Sequence, residues 1–496
     1  MLVLHKKTYV LAAYSALAML LAQPVWAQEF QDNDSNYNTN SAISEGTTYD
    51  GVEAVEEPVA GSATRGVEAE GYKLDSATTA SSSEDSAEMR AMRYANDYSM
   101  KFLDDYAIDE AMRDRTVYER SRPEYEPQNV RLGAFILAPQ IGVGYTFNDN
   151  IFSTADDEKA DFITRVRPVL ALKSDWNSNS LSAGVAYDAG IHQDFSDENF
   201  VDATYTLNGH LDIVQDSYIS GGFLMQGKHE DRSSPDEVNG SEPTKYLISD
   251  ANLEFYRKVS RILLKVNASA RQFDYSTTEA PGGEIDNGNR DRYEYEAKTR
   301  VAYEFKPGYQ AFVDVSYNIR EYVRDSAADL RNSDGYKVSA GTSVEITDQT
   351  KAELYAGYFL QDYENENFED ASGVNYGASV LWNITRLTSI QFDANRTVSE
   401  TTLSDASGFI TSLADVSIEH ELRRNILLST GFSYALNEYE GIDRTDNIYT
   451  LSAGARYIIT PNYTLNFDYN IQVRESDAVG RDFERNRVML SLKAEL

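Results

Sequence analysis

From Arg131 to Leu496 the chain repeats one pattern: segments of about ten residues alternate apolar with polar side chains. The connections between them alternate as well, short then long, up to the last residue. A strand side chain changes face at every position, so each segment presents one greasy and one wet surface. Ile141, Val143, Tyr145 and Phe147 fall on one face of the first segment, and Gln140, Gly142, Gly144 and Thr146 on the other. Val201, Ala203, Tyr205 and Leu207 oppose Asp202, Thr204, Thr206 and Asn208 in the fourth. Buried on both sides, that second set would be costly. The pattern predicts an all-β protein: a closed, transmembrane antiparallel β-barrel of about eighteen strands over 131–496, one face in lipid and the other in water.

Hydropathy agrees by exclusion. The mean hydropathy of −0.50 is incompatible with a bundle of membrane helices. Beyond the N-terminus no apolar run approaches the roughly 20 residues a spanning helix needs. Thirty-four Tyr against three Trp suit a barrel with aromatic girdles. The net charge of −35 argues against a nucleic-acid partner, which needs clustered Lys and Arg. With no Cys there is no lipoprotein anchor, disulfide or thiolate metal site.

Residues 1–27 read as a signal peptide: basic His5, Lys6 and Lys7, an apolar core from Tyr9 to Ala22, and small Ala27 at the cut. Residues 28–84 are polar, acidic and poor in large apolar groups, which predicts a disordered periplasmic segment. Over 85–130 a short helix and a linker are expected. Met89, Met92, Ala95, Phe102 and Tyr106 share one stripe, fitting either a helix that docks a partner or the barrel mouth, or a transient helix in the linker. Arg122 to Pro127 reads as an extended lead-in to the first strand.

Tight turns are expected at Gln215-Asp216, Lys306-Pro307-Gly308, Thr347-Asp348-Gln349, Asn383-Ile384-Thr385 and Thr460-Pro461-Asn462, with long polar loops between them. In bacterial barrels short turns face the periplasm and long loops face outward. An even strand count then puts both barrel ends in the periplasm, and export plus a barrel implies the outer membrane of a Gram-negative bacterium.

Gly133 to Pro139, Tyr145, Asn148-Asp149-Asn150-Ile151-Phe152, Asp161, Pro168, Ser174-Asp175-Trp176 and Arg485-Asn486-Arg487-Val488 form a recognisable set. Together they resemble the β-barrel porin family whose members accompany exopolysaccharide synthesis and export, over roughly 120–496. The resemblance implies an outer-membrane pore for a secreted polysaccharide, working beside a periplasmic polysaccharide export protein. One departure concerns the outer-membrane assembly machinery: the last residue is Leu496, where barrels commonly end on an aromatic. The terminal alternation Val488, Leu490, Leu492, Ala494, Leu496 still predicts insertion. Two other classes fit the same wall: a general or sugar-specific diffusion porin, with Asp274–Asp291 as a constricting loop, and a structural or adhesion barrel with a plugged lumen.

No catalytic constellation, cofactor motif or metal set stands out. His192 and His210 are expected on neighbouring strands but at different heights. The lumen is the informative surface. Arg165 and Arg167, with Glu294, Glu296, Lys298 and Arg300, are the candidates for a charge-selective lining. Tyr218, Phe312, Tyr355 and Phe359 are the inward aromatics that could stack on sugar rings. The plainer reading is that the charges pair across strands and the rings fill space.

Overall fold

The computed structural model describes residues 116–496, apart from 239, 325–330, 348, 402 and 404–405. The expected signal peptide, the acidic stretch 28–84 and the Met89–Tyr106 stripe lie outside the described residues. No helix of the described residues is long and apolar enough to cross a membrane; this chain crosses with strands.

Eighteen antiparallel strands close into one barrel. They are β1 (Phe135–Asn148), β2 (Asp161–Ser174), β3 (Ser180–His192), β4 (Phe200–Val214), β5 (Ser217–His229) and β6 (Lys245–Val259). Next come β7 (Ile262–Tyr275), β8 (Arg292–Lys306), β9 (Tyr309–Tyr322), β10 (Ser333–Thr347), β11 (Thr350–Tyr363) and β12 (Ala371–Thr385). The last six are β13 (Thr388–Ser399), β14 (Phe409–Arg423), β15 (Ile426–Tyr439), β16 (Thr445–Thr460), β17 (Tyr463–Ser476) and β18 (Phe483–Glu495). Each strand pairs with the next, and β18 returns to β1 in register from Gln140 opposite Glu495 to Asn148 opposite Arg487. Closure leaves no unpaired edge, as a spanning sheet in lipid requires.

The strands run from twelve to sixteen residues. At about 3.4 Å per residue and a tilt near 40° they rise roughly 30–40 Å, more than the ~25 Å apolar band of such barrels. Ile141, Val143, Val313, Leu354 and Leu451 are exposed on the outer surface. Tyr336, Tyr358 and Tyr376 stand above that band, toward the long loops. Tyr303, Phe305, Trp382, Tyr457 and Tyr463 stand toward the short turns. Amphipathic rings at both levels match the two lipid–water interfaces.

The short connections explain the hairpin geometry. Asp216 and Ser260 take left-handed φ values of 59° and 57°, and Gly308 one of 76°, so the strands reverse within two residues. Just before several of these turns the pairing slips, as between Glu304 and Lys306, Glu345 and Thr347, or Ile458 and Thr460. Such a bulge adds one residue to one strand and increases the local twist. It also corrects one expectation. Asn383-Ile384-Thr385 is not the turn but the bulged end of β12, with Asn383 N–H bonded to the Gln349 carbonyl, and the chain reverses at Arg386-Leu387.

Ahead of β1, Val130–Leu132 folds back on Phe135–Leu137 around Gly133, below the end of β18. Asn129 N–H meets the Leu496 carbonyl there at 3.1 Å. The stretch expected to be extended instead contains a 3-10 turn at Pro123–Tyr125, because Pro at its first position fixes φ and Tyr125 N–H closes on the Arg122 carbonyl at 2.7 Å.

Candidate lumen and pore mouths

The lumen face follows from the pleat. On β2 the inward positions include Arg165, Arg167 and Lys173, and on β8 they include Arg292, Glu294, Glu296, Lys298, Arg300 and Glu304. Arg165 and Arg167 both engage Asp188 of β3. Arg165 Nε donates to Asp188 Oδ1 at 3.2 Å, and Arg167 Nε lies 3.3 Å from Oδ2. The facing part of β1 offers only Gly142 and Gly144, so Arg167 also reaches across it to Met489 Sδ of β18 at 3.5 Å.

On β8, Glu294 accepts from Arg292 Nε at 2.8 Å and stands 4.0 Å from Arg271. Lys298 stands 3.9 Å from Asp314. Arg300 is held on two sides, by both oxygens of Asp314 at 2.8 Å and by Glu353 at 2.9 and 3.0 Å. Glu296 lines a cleft with Ser269, Asn318, Arg320 and Lys337. The six candidate charges thus form two groups, on β2 and on β8.

The inward aromatics pack against the wall in different ways. Tyr218 stacks on Tyr256 at 4.7 Å and donates to Glu254 at 3.0 Å. The Arg300 guanidinium lies 3.9 Å over Phe312. Phe359 is buried beside Gly373. Tyr355 lies so close over Gly377 that a Cβ there would come within 2.3 Å of the ring, yet Tyr355 itself is only half-buried. A ring covering a strand glycine is a recognised stabilising pair. His192 sits at the outer end of β3, while His210 is toward the inner end of β4, 3.1 Å from Asp212.

The inner mouth holds residues that alternation alone does not reveal. Thr116 to Arg122 enters the lumen as a strap against β14, β15 and β16. Tyr118 N–H donates to Glu419 at 2.8 Å, its hydroxyl lies 3.3 Å from Ser429, and Arg456 stacks 4.4 Å over its ring. Val117 and Tyr118 bury Leu427. Arg122 pairs with Glu421 at 2.9 Å, both nearly fully buried, and also donates to the Val117 carbonyl at 2.8 Å. At the rim, Glu124 meets Arg424 at 2.6 Å.

At the outer mouth, loop 230–244 carries dense ion pairing. Arg290 binds both oxygens of Glu230 at 2.7 and 3.0 Å, and Arg232 binds Glu198 and Glu237 at 2.5 Å. Asp274–Asp291, expected as a constricting loop in a diffusion porin, forms a small ribbon of Thr278–Ala280 with Gly283–Ile285 beside it. Thr278 and Thr244 share a hydrogen bond of 2.8 Å.

Burial would raise the Asp231 carboxyl, but the Arg485 and Arg487 guanidiniums and the Ser233 hydroxyl outweigh it and hold it far below the usual carboxylate range. A depressed carboxylate stabilises the folded loop fully above its unfolded pKa of about 3.9, and loses that contribution as pH falls toward the folded value. Hydrogen-exchange protection of the Ser233 and Ser234 amides, corrected for intrinsic rates, is therefore expected to stay constant from about pH 7 to 5 and to fade only below about 4. Protection lost already at pH 5 would contradict this.

No curated protein matches the chain. Among solved structures, it is similar to OpdK of Pseudomonas aeruginosa, crystallised with vanillate, at 10% identity and a TM-score of 0.41, covering 73% of this chain and 99% of that one. It is similar to OccK3 (OpdO) of the same organism at 13% identity and a TM-score of 0.40, covering 73% and 95%. It is also similar to the siderophore receptor PirA of that organism at 8% identity and a TM-score of 0.39, covering 73% and 80%. The family described as "Putative beta-barrel porin 2" matches residues 122–496. The chain belongs to that β-barrel porin family, and is a porin-like pore of the Gram-negative outer membrane.

Proposed function

We propose that this pore passes a secreted polysaccharide, beside a periplasmic polysaccharide export protein. The observation that carries the reading is the half-buried Tyr355, laid over Gly377 on a wall otherwise rich in hydrogen-bonding groups. Asn375 and Ser379 flank Gly377 on the inward face of β12. A flat ring among amides and hydroxyls suits a sugar, which offers one apolar C–H face and a rim of hydroxyls. Arg165, Arg167, Glu294, Glu296, Lys298 and Arg300 then line the track. Tyr218, Phe312 and Phe359 complete its aromatic set, with their faces more covered than that of Tyr355. The motifs of the first hairpin support the same assignment.

A strain lacking this chain is expected to lose its secreted polysaccharide. Tyr355→Ala, produced and inserted at normal level, is expected to lower secretion by several-fold. Normal secretion by the deletion strain removes the proposal. A second reading, a diffusion porin for small solutes, is favoured by the ion-paired loop 230–244 at the outer mouth, and predicts rapid swelling of liposomes in small sugars.

A further inference from the structure

Two outer loops meet over the lumen. Loop 230–244, between β5 and β6, reaches the wall at β17 and β18. Arg485 Nη1 of β18 donates to Asp231 Oδ1 at 2.8 Å and its Nη2 to Ser233 Oγ at 3.1 Å, while Arg474 Nη1 of β17 donates to the Ser233 carbonyl at 2.8 Å. Between β13 and β14, Glu400, Leu403, Ala406 and Ser407 are held on the other side, toward β9. Glu400 pairs with Arg320 of β9 and accepts from the Tyr322 hydroxyl at 2.8 Å. Arg331, between β9 and β10, donates to the carbonyls of Leu403, Ala406 and Ser407.

The two loops are joined to each other: the Thr401 hydroxyl donates to Asp236 Oδ1 at 2.7 Å. A continuous polar path therefore runs from Arg485 through 231–236, Thr401 and Glu400 to Arg320. In a ring of eighteen strands β18 and β9 stand opposite one another, so the path spans the mouth from wall to wall. Its anchors are desolvated: Ser233, Thr401, Glu400 and Arg485 are all at most 3% exposed. Hydrogen-bonded ion pairs shielded from water hold a fixed geometry far better than exposed ones.

We propose that this cross-bar, and not the barrel wall, sets the aperture of the pore. Small hydrated solutes pass beside it, and a polymer passes only when the two loops part at Thr401 and Asp236. The proposal rests on the chain being a pore and is independent of which solute the pore carries.

The test uses the full chain in planar bilayers, with ion current read in graded polyethylene glycols that report the width of the opening. Arg485→Gln removes the ion-paired anchor at one end of the bar, leaving the Arg474 bond to Ser233 there, and Thr401→Val removes the hydroxyl at its joint while keeping side-chain shape. Each is expected to raise single-channel conductance at least two-fold and to admit larger polymers than the unaltered chain. Heat-dependent gel mobility reports whether each barrel has folded. If Arg485→Gln does not fold, Thr401→Val alone decides. Folded variants with unaltered conductance and size limit overturn the proposal, as does a set in which neither the unaltered chain nor any variant conducts. A deletion strain that secretes its polysaccharide normally would remove the export reading and leave these currents standing.

Discussion

Replacing both Tyr118 and Arg122 with Ala is expected to raise single-channel conductance by up to about half, less than opening the outer cross-bar in series with it, while the barrel stays folded. Arg122 fastens the strap to β14 through its buried pair with Glu421, and braces the strap's own backbone through its bond to the Val117 carbonyl. Removing one member of a buried pair typically costs 3–5 kcal/mol, because the other charge is left uncompensated. Here that cost falls on the docked state of the strap, since Glu421 regains water once the strap leaves. The strand ladder beneath is untouched: β14 and β15 pair through Glu421 opposite Leu427 by backbone groups alone. Losing the Tyr118 ring also uncovers Leu427 and removes the face on which the Arg456 guanidinium stacks. Conductance equal to that of the unaltered chain would mean that Thr116–Arg122 lies outside the ion path.

Val313→Arg is expected to destabilise the inserted barrel by about 2–4 kcal/mol, and the same change at Gln226 by less than ~1 kcal/mol. Val313 sits mid-strand on the outer face of β9, where a guanidinium must enter hydrocarbon or drag water after it. Gln226 faces the lumen of β5 beside Thr204, where water is already at hand. Reversible unfolding in urea from lipid vesicles would separate the two. Equal losses at both positions would overturn the assignment of faces.

The strands were legible because alternation is a local property. The fourth segment, read as 200–213, is found at Phe200–Val214, and its turn falls on Gln215-Asp216 as expected. Inward charges such as Arg165, Asp188 and Arg300 follow from the same parity. The bulge at Asn383–Thr385 escaped because a slip of one residue is decided by the partner strand, not by the triplet itself. The mouths were hidden for a related reason. Arg485 and Asp231 are 254 positions apart, and Tyr118 and Glu419 are 301 apart. Nothing near Arg485 in sequence announces an outer loop, although Arg485 and Arg487 already belonged to the motif set that carried the family resemblance. The loops read only as long and polar, whereas Ser233 is buried in hydrogen bonds and Glu230 in an ion pair with Arg290.

The meeting of Asn129, Leu496 and Pro139 below β18 works as a clasp. Asn129 N–H takes the Leu496 carbonyl, and Leu496 N–H takes that of Pro139. β18 covers β1 only from Gln140 upward, and Val130–Leu132 covers what remains. The ring is therefore fastened by the first and last pieces of its own sheet, separated by the entire barrel sequence. Such distant closure is slow and comes late. Until β18 arrives, β1 keeps an open edge able to pair with whatever strand is offered. The order of manufacture is thus written into the seam: this cylinder can be locked only once β18 has been made.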